Sequence, residues 1–282
     1  MNEMPRTQIE TLSFPRLIAG TNWFLGYSHQ TASRSKFIKE LQSRETLADI
    51  LEVFFAAGCN SVYGIHPGAP HLNHAIQDAE QRTGRACVRI GIPSFDLAGT
   101  AAAKDANLRT LDAFREIRCD LLMPHQCTTD ALVDRQRRTI REMDVFIPAI
   151  RERGMVPGLS THMPETPMYA DEMKLDIGTY IQIYNAAGFL MQIEIDWVQR
   201  MIWGCQKPVI TIKPLAAGRL EPLVGLAFVW ATLRPIDMVT VGCMTADEAR
   251  EVIEISMALL EHRLPNLTLQ ETRSKASMKA AR

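Results

Sequence analysis

No two cysteines in this 282-residue chain have the CxxC spacing of a redox or zinc motif. The six, Cys59, Cys87, Cys119, Cys127, Cys205 and Cys243, are scattered, most within apolar stretches where a free thiol behaves as a small hydrophobe. They read as reduced thiols of a cytoplasmic protein. An excess of charge of either sign is also missing: 31 basic against 32 acidic side chains leave a net charge of −1. Such a chain has no overall field to draw it to nucleic acid or an anionic membrane, so a small-molecule partner fits better. No segment approaches the roughly 20 uninterrupted apolar residues of a membrane span, and the opening MNEMPRTQIETLSF lacks the apolar run of a secretory signal. No low-complexity tract and no long internal repeat is visible, which argues against a solenoid. Histidine is scarce, with seven in the whole chain.

What is present is alternation. From about Leu17 onward, short apolar runs bounded by Gly, Pro or Asn alternate with longer segments of helical period, the pattern of βα units around a parallel sheet. The runs predict strands at Leu17–Asn22, Ser61–Tyr63, Cys87–Pro93, Leu121–His125, Val156–Thr161, Tyr180–Asn185, Val209–Pro214 and Met238–Cys243. Eight is the number that closes a barrel, and the length suits one such domain. Between them, Thr46–Ala57 places Leu47, Ile50, Leu51, Phe54 and Phe55 on one stripe, and Ala246–Glu261 does the same with Ala249, Val252, Ile253 and Leu260. Arg151–Gly154, a basic turn ended by glycine, reads as a helix stop. The expected organisation is a single (β/α)8 TIM-barrel domain over residues 1–264 and a polar, frayed tail over 265–282.

Several collinear segments resemble landmarks of the aldo-keto reductases: Leu12–Gly20 (LSFPRLIAG), Ala56–Asn60 (AAGCN), Cys119–His125 (CDLLMPH), Gly154–His162 (GMVPGLSTH), Gln182–Asn185 (QIYN), Lys213–Leu220 (KPLAAGRL) and Val241–Glu251 (VGCMTADEARE). The resemblance implies an aldo-keto-reductase-like barrel with a nicotinamide cofactor, NADP(H), and a small carbonyl or carbohydrate-like substrate. In that family a tyrosine protonates the carbonyl oxygen while the cofactor delivers hydride, and an aspartate, a lysine and a histidine set its acidity. Here Gly58 and Asn60 fit the strand-two pattern, but Tyr63 stands in the aspartate slot. His66 and His71 follow without a tyrosine. The third strand, CVRIGIPSF, ends without a lysine, and Arg89 lies inside it. His125 matches the histidine. The resemblance therefore points to His125, Tyr63 and His66 as the residues nearest the chemistry. On the cofactor side it implies Ser160, Thr161 and Gln182 at the nicotinamide, with Lys213, Pro214, Leu215, Gly218, Arg219, Gly242 and Thr245 around the phosphates. A glycine-bearing loop and a helix opened by Thr245 would offer backbone N–H groups to an anion.

The histidines are a separate signal, because His29, His66, His125 and His162 each follow a predicted strand, and active sites of such barrels form at the strands' C-terminal ends. Converging imidazoles suit acid–base work; alternatively His66, His125 and His162 could hold a divalent metal, with Asp130 or Cys127. Asn22, Trp23, His162 and Asn185 are candidate substrate contacts, with Phe24 and Tyr27 beside them. Lys213 at a strand end could also form a Schiff base with a carbonyl substrate. The expected function is a divergent reductase-like enzyme. The alternatives are a non-redox lyase, hydrolase or isomerase using the histidines, with or without the metal, and a non-catalytic protein that keeps the cofactor pocket.

Overall fold

A computed structural model describes residues 3–279. The chain opens with an antiparallel hairpin, β1 (Arg6–Ile9) and β2 (Leu12–Pro15). β3 (Leu17–Gly20) is followed by α1 (Ala32–Leu41) and α2 (Arg44–Ala56). The alternation continues with β4 (Ser61–Ile65), α3 (Pro70–Thr83), β5 (Val88–Gly91), α4 (Ala101–Glu116), β6 (Leu121–Leu122) and α5 (Gln126–Leu132). A second small hairpin, β7 (Val133–Asp134) with β8 (Thr139–Ile140), leads into α6 (Met143–Arg151). Next come β9 (Val156–Pro157), β10 (Leu159–Ser160), α7 (Thr166–Glu172), β11 (Tyr180–Ile183), α8 (Ile195–Gly204) and β12 (Val209–Ile212). α9 (Pro222–Thr232), β13 (Met238–Val241) and α10 (Ala246–Leu260) complete the alternation. In the polar tail, α11 spans Arg273–Lys279; the end of the tail, 280–282, lies outside the described residues.

The parallel strands pair in the order β10-β11-β12-β13-β3-β4-β5-β6-β9. β9 and β10 are two halves of one strand interrupted at Gly158, so the ring closes on itself as an eight-stave (β/α)8 TIM barrel. Glycine is required at the break, since a Cβ on Gly158 would sit 2.7 Å from Met123 Cγ. Hydrogen-bonded strands stop short of the predicted apolar runs for local reasons. Pro124 has no N–H for a ladder beyond β6, and Lys213 turns to a left-handed φ of 62° just after β12.

Sequence patterns account for the helices. Ser43 caps α2 by accepting the Thr46 N–H, and Leu47, Ile50, Leu51, Phe54 and Phe55 are all fully buried against the barrel. The N-terminal hairpin lies where the strands begin: Ile9 packs so close to Gly178 that a Cβ there would be 2.6 Å from Ile9 Cγ2. Arg89, in β5, points outward and pairs with Glu80 of α3 at 2.7 Å. Below β12, buried Asp237 accepts the Val209 N–H at 2.9 Å and pairs with Arg234 at 2.7 Å. No helix among the described residues is long and apolar enough to cross a membrane. All six cysteines are free, and Cys127 alone of the six is exposed.

Candidate active site

The C-terminal end of the barrel opens into a cleft of about 650 Å³, within the usual range for small-molecule sites. Its floor is Tyr63, directed into the barrel from β4, with Ser160 of β10 beside it in the lining. Burial pushes the Tyr63 phenol up to about 12, against a smaller opposing effect of the Ser160 contact. A phenol this reluctant to ionise is a hydrogen-bonding group near neutral pH and a poor acid.

Above the floor the loops bring His29, His125, His162 and Lys213 to one wall-to-wall cluster. Lys213 Nζ and His29 Nε2 are 3.3 Å apart. The imidazole of His29 is depressed by burial first and by the Lys213 charge second, while a hydrogen bond to the Tyr27 carbonyl opposes both. His125 caps α5, its Nδ1 accepting the Cys127 N–H at 3.3 Å and lying 3.0 Å from Cys127 Sγ. In the neutral ring the proton therefore belongs on Nε2. Burial, then Lys213, lowers its pKa too. His162 is the most displaced imidazole, lowered to about 4 by burial and by the charges of Lys213, His125 and His29. Its backbone is held by Asp130, which accepts the His162 N–H at 3.2 Å and the Thr161 hydroxyl. Burial alone lowers the Lys213 amine to about 8.

The cleft continues outward along the loop between β12 and α9. Lys213, Pro214, Leu215, Gly218 and Arg219 line it, as do Gly242, Asn22 and Trp23. The loop's amides are largely engaged internally: the N–H groups of Ala216, Gly218 and Arg219 donate to Lys213 and Leu215 carbonyls. At the outer end stand three carboxylates, Glu221, Glu248 and Glu251.

Several residues that the sequence nominates lie elsewhere. Gln182 is buried outside the cleft with both amide atoms unpartnered. It shares a strand face with Tyr180 and Tyr184, whose hydroxyls reach Asp171 in α7 and Thr232 in α9, so strand alternation aims it at the helices. Thr161 is turned into the loop after β10, bonded to Asp130, Met163 and Thr166. Asn185 organises the loop after β11, its side chain accepting the Ala187 and Phe189 N–H groups. Thr245 caps α10 by accepting the Glu248 N–H, and the Glu248 carboxylate takes the Met244 N–H. One donor of the first turn is thus taken by the helix's own cap, and the Glu248 carboxylate occupies the Met244 N–H.

His66 occupies a neighbouring cavity of about 850 Å³ that shares Thr21, Asn22, His29, Ile92 and His125 with the cleft. A bulge at Gly64 carries it there, and its Nδ1 accepts the Gly68 N–H at 2.9 Å. The metal alternative is corrected accordingly. His66, His125 and His162 do not gather on one point, and among the described residues no group of three His, Cys, Asp or Glu side chains is placed to hold an ion. His29 enters the cluster with less warning, since it is nine residues beyond the end of β3; its partnership with Lys213 depends on a loop and a strand end 184 residues apart in sequence.

Comparison with known proteins gives fold and little else. No family model and no curated protein matches the sequence. Among solved structures, a protein assigned to the aldo-keto reductases from Pseudomonas aeruginosa superposes with a TM-score of 0.62 at 15% identity, covering 92% of this chain and 95% of its own. An aldo-keto reductase from Klebsiella pneumoniae, solved with NADP and acetate, gives 0.56 at 15% identity, covering 99% and 94%. A glycerol dehydrogenase from Gluconobacter oxydans gives 0.55 at 12% identity, covering 95% and 98%. The chain has the aldo-keto reductase barrel fold.

Proposed function

We propose that this chain is an enzyme that acts on a small carbonyl or carbohydrate-like compound by proton transfer at the barrel mouth. One observation carries the reading: three imidazoles and an amine converge on one cleft, each with its charged form disfavoured by burial. Near neutral pH His162 is uncharged and available to accept a proton, as a weak base whose pKa of about 4 lies well below the working pH. The Nε2–H of neutral His125 can donate to a carbonyl oxygen, and Lys213 presents its amine to the same cleft. Asn22 and Trp23 supply a polar and an apolar wall for the remainder of the substrate.

A second reading keeps a nicotinamide dinucleotide, which the fold neighbours bring to mind and for which the length of the cleft, from Tyr63 to Glu251, speaks. Lys213 and Arg219 would neutralise its pyrophosphate, and it would supply hydride. The outer carboxylates suit the hydroxyls of an unphosphorylated ribose and repel a 2′-phosphate, so NAD(H) fits this cleft better than NADP(H). Its carboxamide would meet Ser160 with the Tyr63 hydroxyl already in place, without Gln182 or Thr161.

The test is exchange of substrate α-protons in D₂O, followed by NMR, for pyruvate, dihydroxyacetone and glyceraldehyde with no nucleotide added. Catalysed exchange that falls about 10²-fold or more in His162→Gln is the expected result. Absence of exchange, together with turnover only on addition of NADH or NADPH, would replace this reading with the redox one. Titration of tryptophan fluorescence with each nucleotide ranks NADH above NADPH if the carboxylates act as argued.

A further inference from the structure

We propose that Lys213 is a covalent catalytic residue, whose amine condenses with a small aldehyde or ketone to form an imine. This rests on the reading above and names how the site would engage its substrate.

The geometry is that of a nucleophile with a proton partner. Lys213 follows β12 at the barrel mouth in a left-handed conformation, φ 62°, fastened by the Ala216 N–H donating to its carbonyl at 2.9 Å. His29, the residue its amine meets at 3.3 Å, is itself left-handed at φ 55°. Both conformations are costly for side chains with a Cβ. Lys207 pairs with Asp171, and Lys36 with Glu40. Lys213 has an imidazole instead, and the charged groups of its cleft, Arg219, Glu221, Glu248 and Glu251, lie along the outer loop and wall. An amine at about 8 is free base for about a tenth of molecules at pH 7, against well under a thousandth for an ordinary lysine.

The step balances without an outside reagent. The Lys213 lone pair attacks the carbonyl carbon as the C=O π pair moves to oxygen. His29 Nε2 takes a proton from nitrogen and passes it to the oxygen, giving a neutral carbinolamine. A proton held by His29 then goes to the hydroxyl, which leaves as water while the nitrogen lone pair forms the C=N bond, and loss of the remaining N–H proton back to His29 gives the neutral imine. The net change is amine plus carbonyl to imine plus water, with no change of oxidation state. Protonated at nitrogen, the imine draws electrons from the adjacent carbon and makes its proton easier for His162 to remove.

The whole protein is incubated at pH 7.5 with pyruvate, dihydroxyacetone or glyceraldehyde and sodium cyanoborohydride, which reduces an imine to a stable secondary amine. Adducts are then located by peptide mass mapping. The expected result is labelling of Lys213 at least tenfold above Lys36, Lys39 and Lys207, with a rate that rises through pH 8. Lys213→Arg, checked for its fold by circular dichroism, loses that adduct, and His29→Gln slows it about tenfold or more. Labelling confined to exposed lysines, with Lys213 untouched by all three compounds, overturns the proposal. Exchange of α-protons that survives in Lys213→Arg also overturns it, yet leaves the proton-transfer reading standing, so the two fail separately.

Discussion

At the residue scale, the mouth is built at the expense of stability, and the signs of two pKa displacements say where. Lys213 ionises at about 8 in the fold against 10.5 unfolded, so between those values the unfolded chain holds more protons and stability rises with pH. At pH 7 the fold therefore carries the full cost of the buried ammonium. Lys213→Met should raise the melting temperature at pH 7 by a few degrees, roughly 1–3 kcal/mol, while abolishing activity. The gain should shrink at pH 10, which thermal melts at both values check. His162 shows the acidic counterpart. Its folded pKa of about 4 lies below the unfolded 6.5, so stability is present above 6.5 and is lost as pH falls towards 4. His162→Phe should melt with a weaker pH dependence than the parent across that window; an unchanged dependence would show that the acid loss arises elsewhere.

At the scale of elements, α10 is where the expected phosphate site became something else. A threonine opening a helix takes one N–H into its own cap, as Thr31 and Thr100 do for α1 and α4. Here Thr245 accepts the Glu248 N–H, and the Glu248 carboxylate turns back to the Met244 N–H, which puts a negative charge where an anion was expected. Thr245→Ala should cost about 1 kcal/mol in urea denaturation. Glu251→Arg should leave the fold unchanged and shift nucleotide preference in fluorescence titration about tenfold or more towards NADPH over NADH. The same preference in both proteins would mean that no ribose comes near that helix. β11 teaches a related lesson. QIYN placed Gln182 one step from its neighbours, and one step along a strand exchanges the barrel interior for the helix layer.

At the scale of the molecule, the staves are tied at the end opposite the mouth. Asp237 receives the Val209 N–H and the Arg234 guanidinium with no exposure to solvent, and Arg16 reaches the Asp237 carbonyl. Asp237→Ala should cost about 3–5 kcal/mol in chemical denaturation, because it strands a half-buried arginine. A loss under 1 kcal/mol would mean that water replaces the carboxylate. This division of labour, stability at one end and chemistry at the other, follows from the barrel itself. The eight strands and the apolar stripes of α2 and α10 were legible in the sequence because a buried stave and an amphipathic helix impose local periods. The two hairpins were not, being held by pairing and packing that leave no period over four-residue strands. That His125, His162 and Lys213 follow strands could be read residue by residue, since loop position along the chain fixes which barrel end they reach. Their meeting could not. The approach of Lys213 to His29, and of both to His125 and His162, depends on distances across the ring, whereas the cap of α10, the alternation that turns Gln182 and the bulge at Gly64 are local. Closure of the barrel sets those distances, and no stretch of the chain encodes them alone.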